Sequence, residues 1–398
     1  MNQLTTAHAE YSLARFPEDP RDTLRAWDAS DEYLLRQLDG TAALDGTTAP
    51  PVELTGTVVV LGDRWGALAT AAAAAAADSA GVVVQVSDSY LTQQATRANL
   101  ERNGLAGGAV TLLSTQDAPP ARIDVLLVRV PKSLALLEDQ LLRVAPGVHE
   151  GTVVIGTGMV TEIHTSTLKL FERILGPTRT SLAVRKARLI HCTPDPRLAP
   201  GPSAWPISYT LPADDASLGA AAGLTVANEA GIFSAERLDV GTRFLLQHLP
   251  TRTGPEHVVD LGCGNGVVGT AAALANPDAR LTFADESYQA LASARATFQA
   301  SGSPAKAEFL LGDGLTSLPP GSADLVLNNP PFHSHQATTD AGARRMFADA
   351  RTVLRPGGQL WVVGNRHLNY HVTLRRLFGN CVTIGSSPKF VVLRATKR

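Results

Sequence analysis

The stretch LVLNNPPFH, Leu325 to His333, ends an apolar run in an amide, two prolines and an aromatic ring. Asn329 carries a side-chain oxygen that can only accept, and Pro330 has a carbonyl but no N–H. Pro330 and Pro331 restrict the backbone, so both acceptors are fixed before a ligand arrives. Phe332 offers a flat face on which a planar group can stack. Together these groups suit an amine whose lone pair is delocalised into a π system. Two acceptors on its two N–H bonds hold it and return electron density to nitrogen. The matching reaction is alkyl transfer by in-line displacement, which needs alignment more than acid–base machinery. Adenine, guanine, cytosine and a glutamine side chain all carry such an amine. The structural alternative is a proline-rich turn with Phe332 in a core. His333 and His335 have no cysteine or carboxylate cluster beside them, so no metal is expected.

A second chemical signal precedes it. VVDLGCGNGVVG is an apolar strand followed by Gly262, Gly264 and Gly266 and then a helix. Glycines there permit positive φ and close approach of a ligand to the backbone. Gly264, Gly266 and Gly269 fit the dinucleotide fingerprint, whereas Asp260 to Gly266 fit the acid-x-Gly-x-Gly-x-Gly of S-adenosylmethionine (SAM) sites. Asp260 favours SAM, because it suits a cationic amino group and would repel a pyrophosphate. Asp285, ending the next strand, is placed to accept from ribose hydroxyls. Asp313, after a third, is placed to accept from an adenine amine. A nicotinamide cofactor, hence an oxidoreductase, and a merely structural turn remain alternatives at this point.

The elements that position these residues are strands alternating with helices, the pattern of a mostly parallel sheet covered on both faces. HVVDLG, RLTFADE, AEFLLGD, DLVLNN, QLWVVGN and KFVVLRA supply the strands of the second half. TVVVLG, VVVQVSD, VTLLST, DVLLVRV, TVVIGTG and LAVRKARLI supply those of the first. The order and spacing agree at an offset of about 200 residues, as expected for a duplicated α/β unit. Asp88 is set opposite Asp285, and Arg97 opposite Arg295. In the first copy Val60 replaces Asp260, Arg64 replaces Gly264, and Val130 before Pro131 stands for Asn329. Residues 1–193 are therefore expected to be a non-catalytic copy that contacts substrate. Arg185, Lys186 and Arg188 on its last strand are candidates for phosphate binding. A solvated basic strand is the alternative. Residues 194–212, with six prolines, read as a connector with an edge strand. Residues 213–398 read as the catalytic domain.

Composition sets bounds. The net charge of −2 excludes a protein that binds polyanions over its whole surface, though not one with a basic face. Cys192, Cys263 and Cys381 form no CxxC pair, so a reducing cytoplasm is expected. No signal peptide or apolar span is apparent, so no membrane partner is expected. The oligomeric state is open, and a monomer is compatible.

The second half resembles the bacterial ribosomal RNA guanine-N2 methyltransferases, which are built from two tandem methyltransferase-like domains. The matching pieces include RAWDASDEYLL, VPKSLALLEDQLL, EIHTSTLKLFERILGPT, LDVGTRFLLQHLP, VVDLGCGNGVVG, NPPFH, GNRHLNY and FGNCVTI, and they span nearly the whole chain. The resemblance implies two class I (Rossmann-like) domains, the N-terminal one degenerate. It also implies SAM as cofactor and the exocyclic amine of one guanine in 23S ribosomal RNA as acceptor. It places the cofactor turn on Gly262, Gly264 and Gly266, the ribose acid on Asp285 and the catalytic residues on Asn329 to Phe332. A small-subunit (16S) enzyme of the same architecture is the nearest alternative.

Overall fold

The structure is a computed structural model. It describes every residue except 1, 2, 21, 42, 45, 46, 49, 78 and 332–336, and only the backbone of 43, 44, 47, 48 and 337–340. The chain divides into two compact units, Met1–Ala204 and Trp205–Arg398.

In the first unit a seven-stranded sheet is formed by β1 (Thr57–Leu61), β2 (Val82–Ser87), β3 (Val110–Ser114), β4 (Ile123–Arg129), β5 (Val148–Met159), β6 (Thr178–Thr180) and β7 (Ala187–Cys192). Their spatial order is β6-β7-β5-β4-β1-β2-β3. Helices α1 (Ala29–Leu38), α2 (Ala67–Ala77), α3 (Tyr90–Arg102), α4 (Leu134–Val144) and α5 (Thr165–Ile174) accompany it. The second unit repeats the plan with β8 (His257–Leu261), β9 (Arg280–Asp285), β10 (Lys306–Leu311), β11 (Ala323–Asn328), β12 (Leu354–Asn365), β13 (Val382–Ser386) and β14 (Phe390–Thr396). Their order is β10-β9-β8-β11-β12-β14-β13, which read from its other edge is the first order with seven added to each label. Helices α6 (Val240–Leu246), α7 (Val267–Ala275), α8 (Tyr288–Ala300), α9 (Ala337–Val353) and α10 (Tyr370–Phe378) match α1 to α5. The expected doubled α/β architecture is present.

The central strands are apolar on both faces because each is covered twice. Leu325 and Leu327 of β11 enter one core with Val258 and Phe283, while Val326 enters the other with Val259, Phe347 and Val362. Continuous apolar runs such as DLVL are what a parallel strand buried on both faces requires. Helix starts are fixed by equivalent caps. Ser89 accepts from the Thr92 N–H at the start of α3, and Ser287 from the Ala290 N–H at the start of α8.

Pairing register corrects the sequence alignment of the two copies. Leu61 pairs with Val86, and Leu261 with Ala284. The residue matching Asp285 is thus Ser87; Asp88 matches Glu286. Leu61 also pairs with Val128, and Leu261 with Asn328. The residue matching Asn329 is therefore Arg129, not Val130. The N–H groups of Thr57 and His257 support the frame, since they donate to Asp124 and Asp324 at 2.8 and 2.7 Å.

Two other expectations change. The LAVRKARLI segment is not one strand. Val184 bridges to Ala187, and Arg185 and Lys186 form the turn between them with φ of 48° and 64°. The proline-rich connector ends sooner than residue 212. Ile207–Thr210 is a strand of the second unit, paired with Thr225–Asn228, and Pro206 and Pro212 flank it.

Candidate active site

The site stands at the carboxyl ends of β8, β9 and β11, where open parallel sheets bind ligands because neighbouring chains diverge. After β8 the chain turns through Gly262, Gly264 and Gly266, with φ of 68°, 52° and 74°. Each lies in the left-handed region that side chains disfavour. At Gly266 packing also forbids a side chain: a Cβ would come within 2.7 Å of Ala294. At Gly264 a Cβ would meet nothing within 4 Å. That glycine faces open space, as a ligand-facing backbone should.

Two carboxylates brace this turn. Asp260 is buried, and its Oδ2 accepts the Gly269 N–H at 2.7 Å, tying the start of α7 to β8. Burial pushes its pKa up to about 7; the Gly269 bond opposes this and the charge of Asp285 adds to it. The two oxygens of Asp285 accept the N–H groups of Gly264 and Ser287, each at 3.0 Å. Burial raises its pKa too, against the pull of those N–H groups. A desolvated carboxylate short of partners favours a hydroxyl or cationic donor from a ligand. Asp313 lies past β10 with Arg345 Nη2 at 3.0 Å, and burial raises its pKa against that cation.

Asn329 follows β11 directly. Its Nδ2 donates to Thr242 Oγ1 at 2.9 Å, and its Oδ1 is buried and accepts no hydrogen bond. Leaving a buried acceptor unpaired costs about 1–3 kcal/mol, unless a donor arrives. Pro330 is buried and Pro331 exposed. Phe332, His333 and His335 lie outside the described residues. Among the described residues, no group of three His, Cys, Asp or Glu side chains could hold a metal ion.

Sequence reasoning missed two residues here. Asn328 is fully buried, and its Nδ2 donates to the Leu261 carbonyl at 2.7 Å, joining the ends of β11 and β8. Thr242 sits 87 positions from Asn329. The doubled asparagine was a usable signal for the first. Nothing local could have found the second.

In the first unit the same place is filled. Arg129, 1% exposed, directs Nη1 to Glu162 and Nη2 to Asp28, both at 2.8 Å. Its Nε faces Asp31 at 3.3 Å. Arg64, at the place of Gly264, pairs with Asp28 at 3.1 Å and with Glu162. Two guanidinium groups and three carboxylates thus occupy the strand ends. Of the proposed phosphate ligands, Arg185 and Lys186 are exposed and Arg188 is half-buried. Arg185 pairs with Glu32 at 2.9 Å. A cavity of about 560 Å³ in this unit is lined by Arg25, Trp27, Glu32, Arg36 and Arg185, among others.

The doubly wound sheet, the acid-x-Gly-x-Gly-x-Gly turn and the Asn-Pro-Pro strand end define a SAM-dependent methyltransferase. Residues 223–394 match the methyltransferase small domain, and residues 1–196 match the RLMG N-terminal domain. The chain is 68% identical to the ribosomal RNA large subunit methyltransferase G of Streptomyces griseus, with all of both chains covered. It is 44% identical to the protein of that name from Aeromonas salmonicida, over 99% of each chain. It belongs to the ribosomal RNA large subunit methyltransferase G family. Among solved structures, the fold matches a T. thermophilus 16S rRNA N2 methyltransferase in complex with AdoMet and guanosine. The TM-score is 0.75 at 22% identity, with 100% of this chain and 98% of that one covered.

Proposed function

We propose that the second unit methylates the exocyclic N2 amine of one guanine in 23S ribosomal RNA, giving N2-methylguanine. The observation that carries this reading is the unpartnered Oδ1 of Asn329, held at a strand end beside an open glycine turn. When bound, SAM supplies a methyl carbon on a cationic sulfur that departs with the bond's electron pair. Gly262, Gly264 and Gly266 let its backbone pass, Asp285 receives the ribose hydroxyls and Asp313 the adenine amine. Asp260 supplies negative charge beneath the turn once the cationic ligand draws off the proton that burial favours.

Asn329 Oδ1 and the Pro330 carbonyl take one N–H each of the guanine amine. This fixes the direction of the nitrogen lone pair and raises its density. Pro331 stiffens the turn, and Phe332 stacks on the base. Both acceptors are nearly non-basic, so the proton that nitrogen sheds goes to water. The first unit contacts RNA through Arg185 and Lys186, with Arg188 behind them, and the enzyme works in the cytoplasm. Among the described residues no helix is long and apolar enough to cross a membrane.

The test offers unmodified 23S and 16S ribosomal RNA together with tritiated SAM. Label should appear on guanine N2, and Asn329→Ala should lower kcat by ~10²–10³-fold with SAM affinity little changed. Label confined to 16S RNA or to adenine would reject the substrate assignment. An unchanged kcat would reject the role of Asn329.

A further inference from the structure

We infer that Thr242, backed by Asp239, is a positioning residue that sets which end of the Asn329 amide faces the substrate. The inference rests on the reading of Asn329 as the acceptor for the guanine amine, and it assigns a cause to the side chain's orientation. An amide is nearly symmetric in shape but opposite in hydrogen-bonding sense at its two ends. If the Nδ2 end faced the guanine amine, two donors would meet and the site would repel its substrate. Something must therefore hold the oxygen outward.

A chain of hydrogen bonds does so. Asp239 caps α6, accepting the Thr242 N–H at 2.9 Å through Oδ2. The Thr242 hydroxyl lies 3.4 Å from the same oxygen. A carboxylate only accepts, so the hydroxyl proton turns towards Asp239 and a lone pair of Oγ1 faces Asn329. The amide must then present Nδ2, which sits at 2.9 Å, and Oδ1 is left pointing elsewhere without a partner. The reverse orientation would require the single hydroxyl proton to be donated twice. Thr242 is 7% exposed, so water competes poorly for these positions.

The first unit supplies an independent reason to see this contact as built. Asp28 is the cap of α1 and Asp31 the third helical residue, as Asp239 and Thr242 are in α6. α1 packs on β5 and β7, and α6 on the matching β12 and β14. Asp31 meets Arg129 at 3.3 Å, and Arg129 holds the place of Asn329. In both units, then, the third helical residue meets the side chain at the same strand end; in the first the cap Asp28 meets it directly as well, whereas in the second Asp239 acts on Asn329 only through Thr242. Where the strand end carries an arginine, the gripping groups are two acids. Where it carries an amide with work to do, one acid has become a hydroxyl, which passes on the acceptor sense without adding charge.

The test is a mutant cycle in the full chain, read as single-turnover methylation of unmodified 23S ribosomal RNA. Thr242→Val keeps the shape and removes the lone pair. It should lower the rate ~10–10²-fold with SAM affinity unchanged and Tm lowered by no more than a few degrees, because the freed amide samples both orientations. Thr242→Ser should restore the rate to within about threefold of the parent, since the hydroxyl returns. In an Asn329→Ala background, Thr242→Val should have almost no further effect, because no amide remains to be turned. Full activity of Thr242→Val overturns the inference, as does an equal loss in the Asn329→Ala background. Should Thr242→Val fold poorly, the Thr242→Ser rescue and the background comparison with Thr242→Ser against Thr242→Ala decide in its place. If Asn329→Ala itself is fully active, the reading of Asn329 fails, a result distinct from a neutral Thr242→Val.

Discussion

At one topological position, the end of the fourth strand, the second unit carries Asn329 and the first carries Arg129. Both side chains meet the N-terminus of the helix that packs beside them. Asn329 is neutral, makes one bond and keeps an oxygen free. Arg129 is charged, and its guanidinium is surrounded by Asp28, Asp31 and Glu162. One copy keeps an acceptor unsatisfied, the one that the proposed function gives to the substrate amine. The other has closed the same space with its own charges. A glycine turn shows the same divergence: Gly264 faces open space, whereas Arg64 reaches across to the acids of the plug. The capping bond at the start of the following helix survived the change. In the second unit Asp260, on the strand, accepts from Gly269. In the first Asp63, three residues further along the turn, accepts from the matching Ala69 at 2.8 Å. Structural needs were kept and ligand-facing needs were lost.

If the plug has replaced a ligand as the filling of the first unit, removing its centre should be costly. Arg129→Ala strands three carboxylates in a poorly solvated place, and should destabilise the first unit by about 3–5 kcal/mol. Urea unfolding followed by far-UV circular dichroism measures it, and the SAM affinity of the second unit should not move. An unshifted midpoint would mean that the cluster is incidental. The reverse graft is smaller. Gly264→Arg brings the first unit's residue into the working turn and should weaken SAM binding at least ~10²-fold by calorimetry, about 2.7 kcal/mol. Gly264→Ala serves as control. It bears the same φ of 52° but adds only a methyl where the arginine adds a long chain, so it should lose far less affinity. Equal losses in the two variants would place the effect in backbone strain and remove the parallel with Arg64.

The smallest effect concerns pH. Burial pushes Asp260 up to about 7, and burial likewise pushes Asp31 up to about 7 despite the pull of Arg129. A folded carboxyl that keeps its proton longer than the unfolded one stabilises the fold fully below about pH 4. It loses that contribution as pH rises through about 7. Asp260→Asn removes one such group, so the fall in Tm between about pH 5 and about pH 8 should shrink by ~2–4 °C per kcal/mol involved. Scanning calorimetry of the apo protein reads it. The slope that persists belongs to Asp31 and to the other carboxyls that burial raises, Asp63, Asp285, Asp313 and Asp349, and an unchanged slope would show that Asp260 is ionised throughout.

The doubled fold was readable because each strand and helix announces itself locally. Runs such as VVVL and LVL are buried on both faces, Ser89 and Ser287 stand at helix starts, and glycines occur where φ turns positive. The Asn-Pro-Pro-Phe segment proposed as catalytic was readable for the same reason, since its residues are contiguous. The basic segment was misread as a strand because apolar residues flank its cations on both sides in LAVRKARLI. Its turn at Arg185 and Lys186 uses residues that carry no turn signal. The edge strand expected in the proline-rich stretch exists at Ile207–Thr210, but its flanking prolines hid that it pairs with Thr225–Asn228 and so belongs to the second unit.

The sequence alone determined that two α/β copies follow one another, that the second has a cofactor turn and an amide strand end, and that the first lacks them. Those features depend on neighbours along the chain. Only the tertiary structure decided that Arg129 rather than Val130 stands against Asn329, that Ser87 stands against Asp285, and that Thr242 holds the amide. Hydrophobic patterns slide by one residue without penalty on paper. In a sheet, a ladder of backbone hydrogen bonds admits a single register, and only packing brings a helix cap against a strand end 87 positions away.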